Sequence, residues 1–173
     1  MPRVFTSESG RLKTILKRLP PLAGAPIRIQ KAPGLRDRRG AVHAGSFLRQ
    51  RRIALNCTRA EFPRIVVHEL FHFVWLRAGN PRRRSWESLL KAELAVHARG
   101  ELGWSAEWRK KRLRALDVDA RTRAWREYCC ESFCDTGAWC CGGSEKELTL
   151  TPRYRNARRA WFEDFLDGRF IAV

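Results

Sequence analysis

The chain has 173 residues, of which 44% are hydrophobic, which is enough for one packed domain and excludes a disordered tail. Thirty-five Lys and Arg residues against 18 Asp and Glu residues give a formal charge of +17. A surplus of this sign favours polyanionic partners, so nucleic acid bound through a basic surface is one class of partner to expect. The arginines are spread over the whole chain, however, and such a spread also follows from genome composition alone.

The apolar segments predict where the protein resides. The first ten residues lack the basic stretch followed by an apolar stretch that is typical of a secretory signal. No apolar run reaches the roughly 20 residues that a membrane-spanning helix needs. We therefore expect a soluble, cytoplasmic protein that does not bind membranes.

The first third of the chain predicts one helix followed by short strands. Apolar residues recur at helical spacing over residues 6–19. Residues 26–30 alternate as in a short strand, and the basic residues 33–40 are typical of a loop. Residues 41–47 and 52–57 alternate as well, which predicts two neighbouring strands in antiparallel pairing.

The rest of the chain predicts a series of helices. Apolar periodicity, proline and glycine positions give helices at residues 61–77, 85–97, 105–116, 121–139 and 151–166, with a short strand at 169–173. The arginine run at residues 82–84 falls in the predicted loop between the first two of these helices. The whole pattern predicts a single, helix-rich α+β domain with a small mixed sheet in its N-terminal third.

The helix at 61–77 contains the sequence HELFH at residues 68–72. His68 and His72 are one helical turn apart, so their imidazoles can converge on one zinc ion. Glu69 follows the first histidine, which places a carboxylate beside water on that ion, in the position of a general base. The flanks are apolar nearly all round, and buried polar groups in such a helix need partners. We predict a zinc site; the alternative is a pair of hydrogen-bonded core histidines with a salt-bridged glutamate.

The HELFH sequence, within VVHELFHFVW and preceded by the strand at 52–57, resembles the active-site helix of zincin metallopeptidases. The resemblance is specific over residues 50–80. It implies a zincin-like domain over residues 1–173, with a mixed sheet, the active-site helix beneath it and an edge strand that binds a peptide substrate. It also implies hydrolysis of a peptide bond by zinc-activated water.

A catalytic zinc site takes three protein ligands, and the third is expected downstream. In the gluzincin branch of zincins a second helix supplies a glutamate ligand, and a carboxylate one turn later bonds a ligand histidine. Glu131 and Asp135 resemble that arrangement, so we predict Glu131 as ligand and Asp135 as the group that orients a histidine. Glu127 is the alternative ligand, with Glu131 behind it, by resemblance to small gluzincin-like peptidases that cut repressor proteins.

His97 is another candidate for the third ligand. Its segment faintly resembles the histidine-containing segment of SprT-like metalloproteases, which use three histidines and act on DNA-bound proteins, and the basic charge suits that function. The gap from His72 to His97 is longer than that family suggests, and no cysteine zinc ribbon follows. A non-catalytic zinc-binding domain is a third alternative. The group that stabilises the oxyanion stays open among Tyr128, Tyr154, His97 and the arginines.

The chain has six cysteines, five of them within residues 129–141. Adjacent cysteines in a helix make a poor disulfide framework, so we expect reduced, partly buried thiols. Cys130 and Cys134 share one helical face, which makes a second metal site an alternative, although no CxxC pair occurs.

Several tryptophans lie among the arginines of the C-terminal half. Base stacking is one interpretation, but aromatic residues at helical spacing are more often core residues. We predict core positions for Trp104, Trp108, Trp125, Trp139 and Trp161, and a last helix that closes the core.

Overall fold

The computed structural model describes residues 10–37, 40–143, 148–167 and 170–173. The described part confirms the predicted helix-rich α+β fold. Its helices are α1 (Gly10–Leu16), α2 (Phe62–Arg77), α3 (Gly79–Ala95), α4 (Trp104–Lys110), α5 (Ala115–Asp119), α6 (Arg123–Gly142) and α7 (Pro152–Leu166). Its strands are β1 (Leu22–Ala23), β2 (Arg28–Lys31), β3 (Arg36–Asp37), β4 (Gly40–Ala41), β5 (Ala44–Phe47), β6 (Arg52–Leu55) and β7 (Ile171–Ala172). The predicted start of the first helix, at residues 6–9, lies outside the described residues.

Three strands in the order β2-β6-β5 form the sheet that lies next to α2. β5 pairs antiparallel with β6, from Ala44 opposite Leu55 to Phe47 opposite Arg52, which confirms the predicted pairing. β2 pairs with β6 in parallel, so the sheet is mixed. Two further two-stranded pairs join β1 to β7 and β3 to β4. The prediction of a plain loop at residues 33–40 is wrong at β3, because Arg36 pairs with Ala41 and Asp37 with Gly40 in antiparallel strands.

The centre of the molecule is α2, which packs against β5, β6 and α6. Its buried apolar residues are Val66, Val67, Leu70, Phe71, Phe73 and Val74. Each such side chain, fully buried, stabilises the fold by about 1.5–3 kcal/mol. Gly137 of α6 lies directly on the ring of Phe71, where a Cβ atom would come within 2.4 Å of Cδ1. The absence of a side chain at Gly137 therefore lets α6 approach α2 closely.

Aromatic rings from four helices meet on this core. Phe133 of α6 lies 4.9 Å from Phe162 of α7 between ring centroids, and Trp86 of α3 lies 5.5 Å from Phe162. The predicted role of the last helix in closing the core is confirmed. Trp125 and Trp139 are buried, but the prediction is wrong for Trp104, which is 69% exposed. Trp104 is the first residue of a helix of only seven residues, and its indole stacks outward on Trp108.

Two predicted helix boundaries are wrong. Gly79 ends α2 in a left-handed conformation with φ +73°, but α3 begins at that same residue. Pro81 then occupies the first turn of α3, where a missing N–H costs no intrahelical hydrogen bond. Residues 82–84 are consequently helical rather than a loop. The predicted helix at 105–116 is two helices, α4 and α5, because Asp117 accepts a bond from the backbone N–H of Arg114 and starts a new helix there.

The other predicted helices lie close to where they were expected. α6 extends three residues beyond the predicted 121–139 and stops at Gly143, which is left-handed with φ +72°. α7 begins with Pro152 at its first position, as predicted. None of the helices in the described ranges combines the length and the apolar character that crossing a bilayer requires.

Candidate metal centre

Two helices that pack against each other carry the polar residues of the site. α2 supplies His68, Glu69 and His72, and α6 supplies Glu131 and Asp135. One ligand atom from each of His68, His72 and Glu131 lies within 4.8 Å of the other two. The imidazole rings stand nearly perpendicular, with their centroids 5.1 Å apart. The structure therefore brings together the three residues that the sequence predicted as metal ligands.

The spacing of these atoms suits an ion better than a direct hydrogen bond. Nε2 of His68 lies 3.3 Å from Oε2 of Glu131. A charge-assisted N–H···O bond is shorter, about 2.7–2.9 Å. Two ligands at about 2.0–2.2 Å from a tetrahedral zinc ion are separated by about 3.3–3.6 Å. A donor set of two imidazole nitrogens and one carboxylate oxygen at this spacing therefore fits a metal ion.

Asp135 holds the ring of His68 in place. Oδ1 of Asp135 lies 2.9 Å from Nδ1 of His68, and Oδ2 accepts a 3.1 Å bond from the backbone N–H of Ala106. The guanidinium of Arg64 lies 3.3 Å from Oδ1. Because Asp135 occupies Nδ1, the proton of the neutral ring is drawn to that nitrogen and Nε2 is left to face Glu131. This is the geometry that the predicted orienting role of Asp135 requires.

The charged groups of the site interact with one another and shift the pKa values of Glu131 and His72. Nη2 of Arg109, from α4, lies 3.0 Å from Oε1 of Glu131. Burial opposes ionisation of Glu131, but the close contact with His68 and the charges of His72, His68 and Arg109 lower its pKa to about 2. Burial also opposes the charging of His72, but the attraction and hydrogen bond of Cys130 raise its pKa to about 9. Arg109 binds Oε1 of Glu131, so Oε2 is the oxygen of Glu131 that faces His68.

Ser46 contacts the predicted general base. Its Oγ lies 2.6 Å from Oε2 of Glu69 and 2.7 Å from the backbone oxygen of Glu69, so the hydroxyl has two acceptors within reach of one proton. Glu69 is 8% exposed, and Ser46 belongs to the edge strand β5. No sequence pattern indicates Ser46, Arg109 or Arg64, because each comes from an element remote in sequence from the residue that it contacts.

The competing candidates lie elsewhere. Glu127 is partly exposed and pairs with Arg123 one turn away on α6, at 2.6 Å. His97 follows α3 in a left-handed conformation with φ +53°, exposed to solvent. Neither residue belongs to the groups of converging ligand atoms found in the described part of the chain. Tyr128 is fully buried and donates to Glu101, so its hydroxyl is committed to the core.

A second group of ligand atoms adjoins the first. Sγ of Cys130 lies 3.4 Å from Nδ1 of His72, and Cys134 is close enough to join both within 4.8 Å. A hydrogen bond from Cys134, opposed by burial and assisted by His72, lowers the pKa of the Cys130 thiol. Burial raises the pKa of the Cys134 thiol. All six cysteines are free thiols, as predicted.

Comparison of the chain with protein-family models, with curated proteins and with solved structures gives no match. The support for a function therefore comes from two features of this chain. These are the HELFH sequence at residues 68–72 and the positions of the side chains around it. Those positions supply candidate metal-binding residues, with a carboxylate held beside them.

Proposed function

We propose that the protein is a zinc-dependent peptidase of the gluzincin-like type. His68, His72 and Glu131 hold the ion, and Glu69 is the general base. The observation that carries the proposal is the convergence of these three ligand atoms within 4.8 Å, with Glu69 on the same helix. Three protein ligands of this kind, with a fourth position left open, are typical of catalytic rather than structural zinc sites.

Each side chain of the site has a separate role in the proposed hydrolysis. A bound zinc ion supplies a Lewis acid that makes water acidic and polarises the carbonyl of the substrate. Glu69 accepts the proton of the attacking water and then delivers it to the leaving amine. Ser46 donates a hydrogen bond to the carboxylate of Glu69 and so limits its movement. The guanidinium of Arg109, beside Glu131, supplies positive charge where the carbonyl oxygen becomes negative.

The sheet offers a place for the peptide. β5 pairs with β6 on one side and forms an edge of the three-stranded sheet. Unpaired backbone groups at an edge accept an added strand. Since β5 carries Ser46, a peptide that extends the sheet here passes close to Glu69.

Zinc content tests the ligand set. The purified chain is expected to bind one zinc ion, measured by elemental analysis, and His68→Ala and Glu131→Ala are expected to lose it. Glu127→Ala is the matched control, because Glu127 lies one turn before Glu131 on the same helix and pairs only with Arg123 among the contacts described. Failure of the wild-type chain to bind zinc at neutral pH contradicts the proposal.

Peptide cleavage tests the chemistry. A diverse peptide library is incubated with zinc-loaded protein, and new termini are detected by mass spectrometry. Glu69→Gln is expected to keep its zinc and lose cleavage by about 100-fold or more, since general-base catalysis contributes that much. Zinc binding without cleavage by the wild-type chain would favour a non-catalytic zinc domain instead.

A further inference from the structure

The second group of ligand atoms, from His72, Cys130 and Cys134, contains sulfur. Cys130 and Cys134 lie one turn apart on α6, and both Sγ atoms lie within 4.8 Å of a ring nitrogen of His72 on α2. The first group is nitrogen and oxygen, whereas this group is one nitrogen and two sulfurs. Thiolate ligands select soft ions such as Zn²⁺ and Cu⁺ over hard ones.

We propose that His72, Cys130 and Cys134 form a separate binding site for a thiophilic metal ion. The 3.4 Å between Nδ1 of His72 and Sγ of Cys130 is close to the separation of two ligands on one tetrahedral ion. Bond lengths of about 2.0–2.1 Å to nitrogen and about 2.3 Å to sulfur give an edge of about 3.5 Å. The two helices thus hold the nitrogen and the first sulfur at coordinating distance.

Burial and charge also suit a metal. Cys134 is fully buried, whereas His72 and Cys130 are half-buried, and His72 also belongs to the first group. Binding of a divalent ion releases the protons of both thiols. Two thiolates neutralise the two charges of such an ion, so the complex avoids the cost of burying a net charge.

The two sites share His72 through opposite ring nitrogens. Since Nδ1 of His72 faces Cys130, Nε2 is the nitrogen left for His68 and Glu131. A neutral imidazole has only one unprotonated nitrogen, so an ion at one site disfavours an ion at the other. A thiophilic ion therefore withdraws His72 from the first site. The binding itself does not rest on the proposed peptidase activity, because its readout is metal coordination alone.

Cadmium is the probe for this site. The reduced, metal-free full-length protein is titrated with Cd²⁺ without oxygen, and the ultraviolet charge-transfer band of cadmium thiolate is followed. The wild-type chain is expected to show the band with saturation at one ion per chain. Cys134→Ala is expected to lose it, while His68→Ala, which damages only the first site, is expected to keep it.

Cys141→Ala is the matched control, because Cys141 is a buried thiol on the same helix and outside both groups. Its cadmium band is expected to equal that of the wild type. Cys130→Ser, at a half-buried position, replaces Cys134→Ala if circular dichroism shows that the latter is unfolded. The proposal is overturned by the absence of a thiolate band in the wild type, by equal loss in Cys141→Ala, or by loss in His68→Ala.

Discussion

At the scale of single residues, the hydrogen bond from Ser46 is expected to fix the position of the Glu69 carboxylate. The hydroxyl of Ser46 lies 2.6 Å from Oε2 of Glu69. Hydrogen bonds to charged groups contribute about 1.5–3 kcal/mol, so Ser46→Ala is expected to lower kcat of peptide cleavage by about tenfold or more. KM and zinc content are expected to stay the same, and Ser46→Thr to restore the rate in part. Ser88→Ala, at an exposed serine of α3, is the control. A change in KM alone would assign Ser46 to substrate binding.

Asp135 is expected to set the affinity for zinc. It bonds Nδ1 of His68 and accepts from the backbone N–H of Ala106. Loss of a partner of this kind costs about 10–100-fold in metal affinity. Asp135→Ala is therefore expected to weaken zinc binding by that factor in competition with a chelator, and Asp135→Asn by less. Asp164→Ala, on the exposed face of α7, is expected to bind zinc as the wild type does. Equal affinity in Asp135→Ala would remove Asp135 from the site.

The sequence predicted the residues of this site that pair by helical spacing and missed those whose partner lies on a different element. Spacing of four residues on a helix places His68 with His72, and Glu131 with Asp135, without any tertiary information. Ser46 reaches Glu69 from a strand 23 residues earlier, which only the packing of β5 against α2 determines. Arg109 is one of many arginines in the chain, and nothing in its local sequence distinguishes it.

At the scale of elements, the site depends on how closely α2 and α6 approach. A Cβ atom at Gly137 would lie 2.4 Å from Cδ1 of Phe71, so Gly137→Ala forces the helices apart. Overpacking of this kind costs about 1–3 kcal/mol, measured as the free energy of unfolding in urea. The separation also parts the histidines from Glu131, so zinc affinity is expected to fall with stability.

Gly10→Ala is the control for this prediction, because a Cβ atom at Gly10 of α1 meets nothing within 4 Å. It is expected to leave both the free energy of unfolding and the zinc affinity close to those of the wild type. An unchanged stability in Gly137→Ala would mean that Phe71 can move aside at no cost.

The elements themselves were predictable from periodicity, whereas their ends depended on local geometry. α2, α6 and α7 have long apolar repeats, and each lies close to its predicted range. The break between α4 and α5 comes from a short-range bond of Asp117 to the N–H of Arg114, which does not interrupt the apolar pattern. Similarly, Gly79 separates α2 from α3, since its left-handed φ interrupts the helical backbone at a single residue.

At the scale of the whole molecule, a buried ion network connects three helices. Arg158 of α7 is fully buried and lies 2.6 Å from Glu93 of α3. It also pairs with Glu101, which precedes α4 and accepts from Tyr128 of α6. A charge of +17 predicts a solvated basic surface, and nothing in the sequence indicates that one arginine is central to the core. That the basic surface binds nucleic acid stays a prediction.

Acid is expected to weaken the fold through Glu101. Burial opposes its ionisation, but Arg158 outweighs burial and lowers the pKa of Glu101 below its ordinary value. A carboxylate whose pKa is lowered by folding contributes stability above its unfolded pKa, about 4.3, and loses that contribution as the pH falls through the folded value. Glu101→Gln is therefore expected to cost about 1.5–3 kcal/mol at neutral pH, because it removes one of the two carboxylates that pair with the buried Arg158 and leaves Glu93 in place.

The difference between Glu101→Gln and the wild type is expected to narrow as the pH falls below about 4.3, because the wild-type carboxylate then takes up its own proton. The measurement is the free energy of unfolding in urea, taken over a series of pH values from neutral to acid. Glu127→Gln, on the exposed face of α6, is the control and is expected to follow the wild type throughout. A difference that stays constant across the series would show that Glu101 contributes by packing and hydrogen bonding rather than by its charge. The ion pair with Arg158 would then not be what makes the fold sensitive to acid.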